Sequence, residues 1–213
     1  MNTAFDAWSP ETRGESRMSE RARLRRHSER SVPDEVAAIL AEGRIAHLGF
    51  EIDGQPYVIP MLYHFDPEPR TLDGLESRPA RLFLHGSTRS RSMMHLATGA
   101  PVCVTVTHLD QLVFSKTAFD HSANYRSAVC FGTARVVTDA AEKNAVLERM
   151  VGRYFDGRIA GSDYQRALPG HLEVTMLVAV DIEEASGKIR SGPPNGPDDD
   201  DPEALGTAGL VDV

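Results

Sequence analysis

Apolar and polar residues alternate along much of the chain. Between residues 101 and 107, Val102, Val104 and Val106 alternate with Cys103, Thr105 and Thr107, which is the period-two pattern of a half-buried strand. Residues 45–50, 57–63, 81–85, 112–117, 125–137 and 174–182 read as further strands, rich in β-branched and aromatic side chains. Asp53-Gly54 lies between the first two of these and predicts a tight hairpin. Pro56 and Pro60 lack ladder donors, which places their strand at an edge or at an interruption in pairing. Gly86 is expected to end the 81–85 strand, and Asp110-Gln111 to form a turn. Residues 67–79, polar and proline-rich, read as a loop.

Helical periodicity is confined to three places. Val36, Ile39 and Leu40 form a stripe after Ser31 and Asp34, closed by Gly43. Ser90 can cap a short helix reaching Leu96. Asp139 with Glu142 makes a capping pattern ahead of a stripe of Val146, Leu147, Met150, Val151 and Tyr154. Six or seven mostly antiparallel strands with few helices do not make alternating βαβ units, so a doubly wound nucleotide fold is excluded in favour of a barrel or sandwich.

Charge divides the chain into three. Residues 1–30 carry Arg13, Arg17, Arg21, Arg23, Arg25, Arg26 and Arg30 with little apolar periodicity. They read as a flexible arm that docks only near its end, with an anion-binding tail as the alternative. Residues 31–190 form the globular domain. Residues 191–213 open on the breaker cluster Gly192-Pro193-Pro194-Asn195-Gly196-Pro197 and continue through Asp198, Asp199, Asp200 and Asp201, so a loosely held acidic tail is expected. The net charge of −8 argues against nucleic acid as a partner. No run approaches the ~18–20 apolar residues of a membrane helix, and the start of the chain lacks a signal-like apolar region. Cys103 and Cys130 rule out a disulfide framework or a four-cysteine zinc site, and fit a reducing cytoplasm. Scattered histidines without paired ligand spacing give no metal centre, and no serine-hydrolase elbow is present.

Two segments carry chemistry. In the first, His85-Gly86-Ser87-Thr88-Arg89-Ser90-Arg91-Ser92, hydroxyls and arginine gather where a strand turns into a helix. That donor set suits a phosphate. The nucleotide-triphosphate and dinucleotide glycine motifs are both absent. In the second, Thr107-His108-Leu109-Asp110 and Asn124-Tyr125-Arg126-Ser127 put polar groups at a strand rim, where they could orient a ligand.

These segments, in this order, carry a resemblance. Residues 54–60, 84–87 with Ser90-Arg91, 107–110, 122–127 with Phe131-Gly132, and 188–194 together resemble the pyridoxamine 5'-phosphate oxidase-like flavin-binding family, in its nitroimidazole-resistance (Nim-type) branch. The resemblance implies a split β-barrel and an obligate homodimer with FMN in each of two clefts between subunits. It implies that Ile59, Pro60, Met61 and Tyr63 border the flavin ring. Gly86, Ser87, Thr88, Ser90, Arg91 and Ser92 would hold the phosphate, with His85 near the ring as a proton relay. Gln111, Lys116, Tyr125, Arg126 and Ser127 would be supplied by the partner, and Arg126 or Lys116 would be the cation beside the reduced ring. The implied function is electron transfer through FMN to a small organic acceptor. F420 or haem on the same barrel, and a non-catalytic flavin carrier or sensor, are the alternatives. The chain departs from the family at Asp110-Gln111, where Asp-Gly is usual. It also has Thr207-Ala208-Gly209 in place of Trp-Ala-Gly. No second phosphate site is legible for pyridoxamine phosphate.

Overall fold

A computed structural model of the chain describes residues 21–67 and 80–213. Eight strands form one antiparallel sheet: β1 (Ala46–Ile52), β2 (Gln55–Met61), β3 (His64–Asp66), β4 (Arg81–Ser87), β5 (Pro101–Phe114), β6 (Ser122–Val136), β7 (Thr175–Arg190) and β8 (Gly209–Asp212). Their order is β2-β1-β5-β6-β7-β4-β3, with β8 on β5. The path does not close on itself; β2 and β3 are its two ends. This is a mainly β architecture with flanking helices, consistent with a split barrel. Around it lie α1 (Val36–Glu42), α2 (Arg91–Leu96), α3 (Ala140–Tyr154) and α4 (Pro169–Val174). Among the described residues no helix is long and apolar enough to cross a membrane.

Local chemistry accounts for several elements. Asp53 and Gly54 take φ of 53° and 81°, the left-handed pair that a two-residue hairpin turn needs. β2 is an edge strand, as its prolines require. Asp139 accepts the Glu142 N–H at 2.6 Å and caps α3. Gly132 marks a bulge between β6 and β7. A Cβ there would stand 2.1 Å from the Asp181 carbonyl oxygen, so no side chain fits.

Two apolar layers flank the sheet. Leu48, Leu82, Leu84, Val104, Val106, Cys130, Val178 and Val180 pack inside with Ile39 and Leu40 of α1. On the outer face Phe83, Leu177 and Ala179 meet Val146 and Met150 of α3. β4 and β7 are therefore covered on both faces, which explains their unbroken apolar runs.

The structure corrects several expectations. There is no turn at Asp110-Gln111: β5 runs through it with a register shift between Leu109 and Gln111. The bulge adds one residue to the strand, and the polar pair reads like a turn without making one. Gly86 does not end β4, which continues to Ser87 because Gly86 pairs with Met176 of β7. β7 extends to Arg190, held by β6 along its length. The acidic segment is not loosely held at two points. Gly209–Asp212 pairs with β5, and Asp199 accepts from Ser115 Oγ at 2.7 Å and from the Lys116 N–H at 2.9 Å. β3, β8 and α4 carry no sequence signal of their own. Most of the expected loop at 67–79, and residues 1–20 of the expected arm, lie outside the described residues.

Candidate functional site

The hydroxyl-rich turn and the edge strand β2 come together. The Arg91 guanidinium lies over the Tyr57 ring, 4.6 Å from its centroid. Tyr57 stacks on Phe50 at 5.4 Å, and Phe50 meets His95 of α2 at 5.7 Å. Among the described residues Arg91 has no carboxylate within ion-pair distance, so an exposed guanidinium stands uncompensated beside the turn. The hydroxyls of the turn are linked locally. Ser90 Oγ and Ser92 Oγ share a bond of 2.8 Å, Ser87 Oγ accepts the Arg89 N–H at 3.2 Å, and Thr88 Oγ1 donates to the Val174 carbonyl at 3.3 Å. Gly86 faces the core, where the Met93 side chain occupies the space a Cβ would need.

β2 has a neighbour, β1, on one side only. Backbone groups on its other side are unpaired by the sheet. Ile59, Pro60 and Met61 lie on this strand, opposite Leu48, His47 and Ala46. Tyr63 lies beyond it and is fully buried. Its hydroxyl donates to the Leu40 carbonyl at 2.5 Å, and its N–H and C=O both meet the Tyr154 hydroxyl at 2.9 Å. Tyr63 thus serves packing: burial pushes its phenol well above the usual range, and its backbone is already engaged.

His85 is half-buried at the end of β4, beside the turn. Burial holds its pKa below the ordinary value and favours the neutral ring. Its Nδ1 is buried without a hydrogen-bond partner among the described residues. An uncompensated arginine beside a turn carrying four hydroxyls is a donor set that fits a phosphate ester such as a flavin nucleotide.

The remaining predicted residues lie on the long β5–β6 hairpin. Leu109 pairs with Tyr125, His108 with Arg126 and Thr107 with Ser127. Arg126 is committed within the chain: it binds Asp110 at 2.9 Å and also Glu42 at the end of α1. The bonds to Asp110, then Glu42, raise its pKa further. Lys116 Nζ donates to the Asp201 carbonyl at 2.5 Å. Gln111 bonds Asp212 and Asn124. The bonds these side chains make lead to Asp110, Glu42, Asp201, Asp212, Asn124 and Lys188 rather than to the 86–92 turn.

Sequence reasoning missed two arginines. Arg153 donates to the Leu40 and Gly43 carbonyls at 2.9 and 2.5 Å and covers the Tyr63 ring at 4.6 Å. Arg81, 2% exposed, reaches Asp66 and Glu142 at 3.3 Å each. Both sit where a surface arginine is the default expectation. Arg81 becomes internal under α3, whose Glu142 it reaches, while Arg153, part-buried on α3, points its guanidinium onto the end of α1.

The family model described as pyridoxamine 5'-phosphate oxidase matches residues 33–189. No curated protein matches the chain. Among solved structures, the FAD- and haem-binding protein from Mycobacterium smegmatis is similar at 29% identity and TM-score 0.72, over 85% of this chain and 82% of that one. The flavocytochrome Anf3 from Azotobacter vinelandii is similar at 28% identity and TM-score 0.75, over 92% and 85%. A 5-nitroimidazole antibiotic resistance protein from Bacteroides thetaiotaomicron, at 20% identity and TM-score 0.57 over 75% and 86%, shares the fold. With the match spanning well over half of its length, the chain belongs to the pyridoxamine 5'-phosphate oxidase family.

Proposed function

We propose that the protein binds a flavin nucleotide, FMN in the first instance, and passes electrons through it to a small organic acceptor. The observation that carries this reading is the Arg91 guanidinium, without a carboxylate partner, placed between the hydroxyl-rich turn and the open edge of β2. Arg91, with Ser87, Thr88, Ser90 and Ser92, would hold the phosphate. Ile59, Pro60 and Met61 would border the ring. The flavin supplies hydride and single-electron chemistry when bound. His85, neutral and short of a partner at Nδ1, would hold or pass a proton at that atom. Gln111, Tyr125 and Ser127 sit on a hairpin away from the turn of their own chain, so they would serve the site of a second copy. This makes a homodimer part of the proposal.

The test is the absorption spectrum of protein purified from its native host, with mass identification of the released small molecule. A yellow protein releasing FMN supports the proposal, and released FAD revises only the nucleotide. A colourless protein that takes up neither flavin on titration overturns it.

A second reading adds haem. The two relatives at 28–29% identity are a flavocytochrome and a FAD- and haem-binding protein, and His85 offers the neutral imidazole that haem iron accepts. A Soret band lost in His85→Ala supports it; a native-host spectrum without one removes it.

A further inference from the structure

Where β7 leaves the sheet, a cavity of about 410 Å³ opens between its last residues and the short helical turn Ser28–Arg30. Arg30, Arg190, Ser191 and Asn195 line it, with Ile189 as an apolar wall and Glu29 at the side. It shares no residue with the turn at 85–92. Its volume falls in the range of small-molecule sites.

The charge of this cavity is unbalanced. Among the described residues Arg190 has no carboxylate within ion-pair distance. Its Nη1 donates instead to Asn124 Oδ1 at 2.5 Å. Asn124, 4% exposed, donates from Nδ2 to the Gln111 side chain at 2.9 Å and to the Gly192 carbonyl at 3.1 Å. One buried amide thus clamps both Arg190 and the loop that follows it. Arg30 meets a carboxylate only obliquely, through Nε at 3.8 Å from Glu29. Two guanidiniums against one carboxylate leave a positive recess in a chain of net charge −8. Arginine forks placed this way match the planar faces of carboxylate and phosphate.

We propose that this cavity binds the phosphate or carboxylate group of a small anionic molecule, as a site separate from the flavin turn. Arg30, the last arginine of the basic arm, thereby acquires a role of its own. The cavity adjoins Gln111 and Tyr125, which the flavin reading gives to the site of a second copy, so flavin content is measured beside anion binding.

The test is calorimetric titration of the full chain, at low ionic strength, with inorganic phosphate and with oxalate. Arg91→Ala serves as background so that the turn does not compete. Saturable binding of either anion is expected, and the tighter one identifies the group recognised. Arg30→Gln should weaken it about tenfold, the loss of one charged hydrogen bond, and Glu29→Gln should tighten it. Arg190→Gln should weaken it further, but disturbs Asn124, so Arg30 and Glu29 carry the decision. In chains that keep Arg91, flavin content should not change in the Arg30 and Glu29 variants. Absence of saturable binding, or binding indifferent to Arg30 and Glu29, overturns the proposal. Joint loss of flavin and anion in Arg30→Gln overturns it as a separate site while leaving the flavin reading intact.

Discussion

The Arg91 guanidinium sits over Tyr57, 4.6 Å from the ring centroid. The contact spans an edge strand and the start of a helix thirty-odd residues later, and it continues through Phe50 to His95. An arginine stacked in this way keeps its N–H fork free for an anion while its position is held by the ring.

Arg91→Ala should lower flavin affinity by about 1–3 kcal/mol, the worth of a charged hydrogen bond to phosphate. Arg91→Lys should recover part of it, since the charge returns without the fork. Titration of apoprotein followed by flavin fluorescence quenching measures both. An affinity unchanged in Arg91→Ala places the phosphate elsewhere.

Acid should destabilise the fold before carboxylates dominate. Burial, reinforced by Arg149, holds the His64 pKa at about 4, against 6.5 in the ordinary state. Between these values the unfolded chain binds the proton and the folded chain does not. The contribution is therefore complete above about pH 6.5 and is lost as pH falls towards 4. Burial moves His85 in the same direction. Urea midpoints between pH 4 and 7.5 should rise with pH, and His64→Gln should flatten that slope.

Arg81→Ala should cost about 3–5 kcal/mol, because it takes a buried cation from Asp66 and Glu142 and leaves unfilled volume beside Phe83. Tyr63→Phe should cost only about 1 kcal/mol. The Leu40 carbonyl keeps the Arg153 donor when the tyrosine hydroxyl is gone. Denaturant unfolding of the two variants should separate clearly; equal losses would contradict the roles assigned to them.

Asp199→Ala should free the acidic segment from β5. Its carboxylate collects Ser115 Oγ, the Lys116 N–H and the Gly196 N–H at 2.7–2.9 Å. Faster amide exchange in Gly209–Asp212, with little change in β6 and β7, is the expected outcome by hydrogen-exchange mass spectrometry.

The hairpin at Asp53-Gly54, the edge position of β2, the caps of α3 and the stripe of α1 were all legible from residue order, since each is decided within a few residues by backbone sterics or by one side chain reaching its own backbone. The serine- and arginine-rich turn was legible as a donor set. Asp110-Gln111 misled because a bulge and a turn use similar residues, and only the partner strand decides between them. β8 is four residues long and becomes a strand only because β5 offers it an edge. Tyr63 looked like part of a ligand surface until α1 and α3 enclosed it.

Order along the chain therefore settles what depends on neighbours in sequence: periodicity, turns, caps and the stock of donors available for an anion. Folding in three dimensions settles what depends on distance across the sheet. It puts Arg91 on Tyr57, buries Arg81, ties Arg153 to the end of α1, commits Arg126 to Asp110 and Glu42, and leaves Arg30 and Arg190 facing one recess. The difference is physical. Backbone preference acts over one or two residues, whereas the burial and pairing of a charge depend on every element packed around it.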